Sequence, residues 1–461
     1  MPHTFQRSCT LPHPRKVVFD WHTRPGAFER LNPPWRPVTV VSSAHSIKDG
    51  ARVKIKLPIV GSIGIPWLLE HSGFIDQERF CDQQVAGPFA AWKHVHSFHT
   101  SSADESTLTD TINYTLPFLA RPLAPLFTRE LERLFTFRHS VLASDLRLQS
   151  RFRNNPRLSF LVTGASGLIG RALCSYLSTA GHRVIRLVRH TPRSADERFW
   201  NPESGEISPD AFDSIDVVVH LAGENIAARR WSPSYKNKLR DSRVRTSKLL
   251  ASAIGSLSQK SKAFIAASGV GIYGDTGDSC ANDSTPAGEG FLAQLASEWE
   301  GSYAHLSPDV RVASLRFGTV LSPRGGALHK MLPAFQLGVG GPLGRGNQWM
   351  SWISLQDVVG IIEHVAFTET LSGGINVTAP ASCTNLEFTK TFGRVLHRPT
   401  LLPAPVTALR LALGEMADAL LLANCRVSPQ KLIASGYAFE LPTLEDALRF
   451  ECGCGFRAMK V

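Results

Sequence analysis

The sequence predicts an α/β chain: a doubly wound parallel sheet preceded by a separate α+β domain. Three observations carry this. First, the 461 residues exceed what one ordinary core of roughly 100–200 residues takes up, so two or three domains are expected. Second, residues before about 150 alternate polar and apolar with many aromatics, and end in a long amphipathic segment. Third, from Leu158 short buried apolar runs alternate with helical stretches, the mark of strand–helix–strand units.

Within the first 150 residues, the segments 84–100 and 106–116 read as antiparallel strands. Leu131, Leu134, Phe135, Val141, Leu142 and Leu146 recur at three- and four-residue spacing, which predicts a helix from Phe127 to Leu148. Arg151–Arg157, containing Asn154, Asn155 and Pro156, is a polar linker. The parallel domain is expected over 158–374, with strands at Ser159–Thr163, Arg183–Val188 and Val217–Leu221 and a helix from Gly170 to Ala180. A mostly helical, proline-broken lobe follows over 375–450, and residues 451–461 form a tail.

Composition excludes several classes. Hydrophobic residues make up 43% and charged residues 19%, a globular balance. The opening residues are polar and proline-broken, so no secretory leader is expected. The most apolar later stretch, Leu409–Cys425, is too short and too interrupted by Arg410, Glu415 and Asp418 to span a bilayer. The net charge of +11 is dispersed rather than gathered into a basic arm, so no nucleic-acid partner is expected. Eight scattered cysteines lack zinc-cage spacing, which predicts reduced thiols, a cytoplasmic setting and no metal.

The stretch SFLVTGASGLIGRALCSYL holds Gly164, Gly167 and Gly170 between a buried strand and a helix. This is the context of a dinucleotide-binding turn, in which the glycines permit the tight bend, backbone approach to a pyrophosphate and close helix packing. The helix N-terminus then faces the phosphate charge. Ala165, Ser166, Leu168 and Ile169 complete the expected loop. Arg189 falls 19 residues after Gly170, where NAD-selective proteins place an acid. An arginine there favours the 2′-phosphate of NADP(H). Leu221, Ala222 and Gly223, small residues after the next central strand, are expected against the cofactor.

Four stretches, TGASGLIG, HLAGENIAARRW, Arg316–Val359 and Asn376–Pro405, resemble the extended short-chain dehydrogenase/reductases, and more closely the NAD-dependent epimerase/dehydratase-like "epimerase family" proteins. That resemblance implies a Rossmann-type domain and adds Arg243 and Val320 to the cofactor contacts. Residues 1–150 resemble the START-like helix-grip superfamily, on architecture and on the stretch GPFAAWKHVHSFH. This implies a curved sheet around a long helix, with Phe89, Trp92 and Phe98 either lining an apolar-ligand pocket or serving as core.

The chain departs from the superfamily at its chemistry. Members generally use a tyrosine with a lysine four residues later, the lysine lowering the phenol pKa. None of the six tyrosines here has one: Phe118, Ala180, Leu239, Gly277, Ser307 and Leu441 occupy those places. Ser268 is the best available hydroxyl donor, and Tyr273 is the candidate proton donor. In the glycine-rich stretch 338–352, Arg345, Gln348 and Trp352 are candidate contacts for a small-molecule substrate. Two readings remain: an NADP(H)-dependent oxidoreductase or epimerase acting on a hydroxyl or carbonyl, or a cofactor-binding sensor that has lost catalysis.

Overall fold

The computed structural model describes residues 2–43, 46–60, 63–257 and 261–455. It divides into two units. The first takes in the chain up to Asn155 together with Ser178–Gly181, and the second takes in Pro156–Leu177 and His182–Cys454.

Among the described residues, the first unit carries β1 (His3–Leu11), helices α1 (Arg15–Thr23) and α2 (Ala27–Leu31), and strands β2 (Thr39–Ser43), β3 (Arg52–Val60), β4 (Ile63–Ile75), β5 (Arg79–Ala86), β6 (Ala91–Ser102) and β7 (Glu105–Thr115). Helix α3 (Ala124–Ser150) closes it. The strands form one antiparallel seven-stranded sheet in the order β1-β7-β6-β5-β4-β3-β2. Period-2 alternation turns Trp92, His94, His96 and Phe98 of β6 inward, and Leu108, Asp110, Ile112 and Tyr114 of β7 with them. Leu131 and Phe135 of α3 pack on Phe5, Trp67, Trp92, Ile112 and Tyr114. The helix begins three residues before the predicted Phe127 because Pro125 sits in its first turn, where a missing N–H leaves no bond unmade.

The second unit contains β8 (Ser159–Thr163), α4 (Leu168–Thr179), β9 (Arg183–Val188), β10 (Glu197–Asn201), β11 (Glu206–Ile207), β12 (Val217–His220), α5 (Pro233–Gly255), β13 (Ala263–Gly269), α6 (Phe291–Gly301), β14 (Arg311–Phe317), β15 (Thr319–Leu321), α7 (Gly326–Gln336), β16 (Trp349–Met350), β17 (Trp352–Ser354), α8 (Leu355–Phe367) and β18 (Gly373–Val377). Among the described residues its main sheet has eight strands, ordered β11-β10-β9-β8-β12-β13-β14-β18. All neighbours are parallel except β10 and β11. The chain reverses direction across the sheet between β8 and β12, the switch point at which open α/β sheets bind ligands. Strands buried on both faces explain the continuous apolar runs: Phe160, Leu161, Val162, Val218, Val219, Phe264 and Ile265 are fully buried.

Beyond β18, β19 (Cys383–Thr384) pairs with β16 and leads into α9 (Asn385–Leu396) through a capping box between Thr384 and Glu387. Shorter helices follow at Val406–Leu413, Gln430–Ala434 and Leu444–Cys452. Asp357 in α8 ties this segment to the sheet by accepting from the backbone N–H groups of Glu440 (2.7 Å) and Leu441 (3.1 Å).

Candidate functional site

The glycine turn joins β8 to α4 at the switch point. Gly164 has φ +67°, a conformation that side-chain-bearing residues rarely adopt, and a Cβ there would lie 2.7 Å from the Leu221 carbonyl. A Cβ on Gly170 would lie 2.2 Å from the Gly164 carbonyl oxygen, so α4 packs on the turn only because that atom is missing. Gly167 differs: the nearest atom to its Cβ position is the Gly164 carbonyl oxygen at 3.2 Å, and Ser166 and Gly167 are exposed. The loop therefore has a closed back, formed by Gly164 and Gly170, and an open front where the turn Ala165, Ser166 and Gly167 leads into Leu168 and Ile169, the first residues of the helix.

Beside it, Leu221, Ala222 and Gly223 leave the end of β12. Thr163 fixes this exit, its hydroxyl oxygen accepting from the N–H groups of Leu221 and Ala222 at 3.2 Å each. The buried ring of His220 bridges Thr163 (2.7 Å) and Thr246 (3.3 Å), and burial lowers its pKa to about 3, so it works as a neutral spacer. Arg243 lies under Gly223, donating to the Leu239 and Glu224 carbonyls (3.1 Å each) and covering the Trp299 ring; burial lowers its pKa to about 10. Arg189 stands exposed one residue past β9. Val320 lies in β15, and its carbonyl faces Gly326 at the start of α7.

Ser268 and Tyr273 come together at the far end of β13 through two residues that the sequence reading did not single out. The Ser268 hydroxyl donates to Glu300 Oε1 (2.7 Å), and Glu300 pairs with Arg316 through Nε (3.0 Å) and Nη2 (2.9 Å). Arg316 Nη1 then donates to the Tyr273 hydroxyl oxygen (2.9 Å), which itself donates to Asn376 Oδ1 (2.6 Å). Burial, partly opposed by Arg316 and Asn376, holds the Tyr273 phenol above its ordinary pKa. Burial opposes the Arg316 charge too, but Glu300 and Tyr273 outweigh it and raise its pKa. A guanidinium thus stands on the phenol, and both hydroxyls are engaged within the protein. Glu300 leaves one visible trace, a carboxylate following Trp299 on the apolar face of α6; Arg316 leaves none, because β14 reaches it only through sheet pairing.

The three candidate substrate contacts are placed differently. Arg345 is exposed. The buried Gln348 amide donates to the carbonyls of Leu343 (3.3 Å) and Leu421 (3.0 Å), and Trp352 is 1% exposed. The latter two are buried within the protein rather than open to a ligand.

The sequence model of the NAD dependent epimerase/dehydratase family matches residues 160–375, and that of a domain of unknown function, DUF1731, matches residues 404–451. The epimerase family protein Mb2239 of Mycobacterium bovis is 45% identical over 290 residues, 63% of this chain and 96% of that protein. The chain belongs to the NAD-dependent epimerase/dehydratase family. This epimerase-family chain is also similar to two solved structures. The nucleoside-diphosphate sugar epimerase from Corynebacterium glutamicum is 33% identical, with TM-score 0.80, covering 98% of this chain and 91% of that one. A match of that extent takes in the first unit as well. The human epimerase family protein SDR39U1 (isoform 2) with NADPH is 34% identical, with TM-score 0.60, covering 64% of this chain and 99% of that one.

The first unit of this family member carries a candidate site of its own. A cavity of about 300 Å³ opens among Trp67, Phe89, Trp92, Phe127, Leu131 and Leu134. Trp92 and Phe89 line it, whereas Phe98 is core, 2% exposed and packed edge-on against Phe19. Among the described residues, no helix is long and apolar enough to cross a membrane.

Proposed function

We propose that this chain binds NADP(H) on the 164–170 loop and uses it for reversible hydride transfer at a hydroxyl or carbonyl of a small-molecule substrate. The observation that carries this reading is the pairing of an open-fronted glycine loop at the switch point with a cation, Arg189, at the end of the neighbouring strand. Leu221, Ala222, Gly223 and Val320 would border the nicotinamide half, with Arg243 stiffening the Gly223 turn from beneath. Bound NADP(H) supplies or accepts the hydride. Tyr273 would give the proton to the substrate oxygen, with Arg316 steadying the charge left on the phenol and Ser268 aligning the oxygen. Arg345 would orient the substrate, with the buried Gln348 and Trp352 bracing the stretch that carries it. The human relative solved with NADPH supports the cofactor choice, and the name of the Corynebacterium relative puts nucleoside-diphosphate sugars first among substrates to try.

A second reading is favoured by one observation: the Ser268 and Tyr273 hydroxyls are both engaged by protein partners. In it the chain binds NADP(H) without turnover and reports an apolar ligand held by the first unit. We read that unit as a START-like helix-grip domain, supported by the antiparallel sheet, the long closing helix and the aromatic cavity. Dispersed cysteines support a cytoplasmic setting for either reading.

Fluorescence titration of NADPH and NADH, followed by single-turnover mixing with nucleotide sugars and small carbonyls, tests both. Turnover lost in Tyr273→Phe with NADPH affinity kept supports the enzyme. Tight binding with no turnover across the panel supports the sensor, and failure to bind either nucleotide removes both.

A further inference from the structure

The cavity of the first unit ends on ionisable side chains rather than on more aromatic ones. Asp82, His94 and His96 all line it, and their ligating atoms lie within 4.8 Å of one another. Strand geometry brings them together. His94 and His96 are two apart on β6 and share a face, and antiparallel register sets Asp82 of β5 directly opposite His94.

We propose that Asp82, His94 and His96 form a divalent transition-metal site, of the zinc type, open to the cavity. Asp82 Oδ2 lies 3.7 Å from His94 Nδ1 and 3.4 Å from His96 Nε2. A tetrahedral zinc with nitrogen and oxygen ligands at about 2.0–2.1 Å requires ligand atoms roughly 3.3 Å apart, so the set needs only small adjustments to take the ion. The other ring nitrogens both face a carboxylate, His94 Nε2 in a hydrogen bond and His96 Nδ1 in an ionic contact. His94 Nε2 lies 2.9 Å and His96 Nδ1 2.7 Å from the same oxygen of Asp110, whose second oxygen is 2.6 Å from His139 Nε2. A carboxylate stands behind each ring, and the ion would replace the proton that His96 Nε2 now shares with Asp82 Oδ2. His71 Nδ1 lies 2.7 Å from Asp82 Oδ1, on the other oxygen of the ligand carboxylate.

Charge argues in the same direction. The carboxylates of Asp82 and Asp110 both face this imidazole cluster, and a divalent cation binding in place of ring protons would put compensating charge at the point where the ligands converge. Two imidazoles and one carboxylate leave a coordination position on the cavity side, the arrangement of an ion that binds or polarises a ligand rather than one that only braces the fold. The chemistry this fits is an apolar molecule that ends in a carbonyl or carboxylate oxygen, its body against Trp67, Phe89 and Trp92. The metal site is independent of the cofactor reading.

The test uses the full-length chain, stripped with chelator and titrated with Zn²⁺ by calorimetry and with Co²⁺ by visible absorption. One equivalent of metal per chain is expected. Asp82→Asn and His94→Ala should each weaken binding by roughly 10–100-fold or more, while the exposed His305→Ala leaves it unchanged. Because substitution of buried ligands can unfold the domain, X-ray absorption of the zinc-loaded wild-type chain is read beside it, with a mixed imidazole and oxygen shell expected. The proposal is overturned by a stripped chain that remains folded by circular dichroism and takes up no stoichiometric metal, by sulfur in the shell, or by binding that survives in folded Asp82→Asn and His94→Ala.

Discussion

The two units build their candidate sites from opposite materials. In the second, the working surface of the 164–170 loop is mostly backbone, and glycines act by what they lack: two close the back of the turn and the third leaves its front open. In the first, the cavity floor is made of side chains from β4, β5, β6 and α3, and behind it Asp110 of β7 touches three imidazoles at once. A backbone site is local and tolerates changes outside its own turn. A side-chain site is a network, in which removing one member leaves several buried groups without their partners. The units should therefore fail differently when struck.

The largest effect is expected at Asp110. Its buried carboxylate is held well below the usual range because His96, His139, His94 and their hydrogen bonds outweigh the burial that opposes ionisation. Asp110→Ala should destabilise the first unit by about 3–5 kcal/mol, the scale for removing one partner of a buried ion pair. Urea unfolding with tryptophan fluorescence would read this, and NADPH affinity measured below the transition should stay at the wild-type value. Equal loss of both would show that the units are not energetically separate.

The mirror-image test is Gly170→Val. A Cβ 2.2 Å from the Gly164 carbonyl oxygen forces α4 away from the turn, at about 1–3 kcal/mol of overpacking strain. NADPH affinity should fall by about 100-fold or more, because backbone that has to approach a pyrophosphate cannot shift by an ångström and still do so. The Asp82–His94–His96 cluster should be unaffected, with its metal titration unchanged.

The same contrast explains what could be read from the sequence. The glycine turn was legible because all its determinants lie within seven residues, between a strand and a helix. The α3 helix was legible from its periodicity, and the parallel sheet from its doubly buried strands. Glu300 and Arg316 were not, since Ser268 meets Glu300 across 32 positions and the pairing of β13 with β14 decides which β14 side chain reaches Tyr273. Nor was the imidazole cluster. His94 and His96 sit in a stretch that reads simply as an alternating strand, and Asp82 joins them only through the β5–β6 register. An expectation of no metal, based on cysteine spacing, takes no account of side chains that strand pairing brings together.

A pH experiment sharpens the comparison within the second unit. Burial raises the Asp357 carboxyl to about 6, against the hydrogen bonds from Ser354, Glu440 and Leu441 that favour its ionised form. A folded-state pKa above the unfolded one means that this group favours the fold most where it is protonated in both states. That contribution is complete below about pH 4, declines between about 4 and 6, and is gone above. A shift of two units corresponds to about 3 kcal/mol. Denaturant stability of Asp357→Asn, compared with wild type between pH 4 and 7, should show the wild type losing this increment while the variant does not. Parallel profiles would mean that the donors from residues 440–441 already hold the carboxylate ionised at low pH.

The smallest change probes how far a backbone site depends on a side chain. Arg189 is exposed and one residue beyond β9, so its removal leaves the packing of the sheet intact. Its guanidinium is the natural partner for a phosphate on the adenosine ribose, and a charge-assisted hydrogen bond of this kind contributes about 1.5–3 kcal/mol. Arg189→Ala should therefore weaken NADPH by about 10–100-fold while NADH, which lacks that phosphate, is unchanged. Arg189→Lys should recover only part of the loss, since an ammonium keeps the charge without the two-pronged geometry. Raising the salt concentration should narrow the NADPH–NADH difference in the wild type and leave it unaltered in the alanine variant, because only an exposed ion pair is screened. An equal loss of both nucleotides in Arg189→Ala would move selectivity for the 2′-phosphate away from the β9 end and leave the glycine loop as the whole of the binding site.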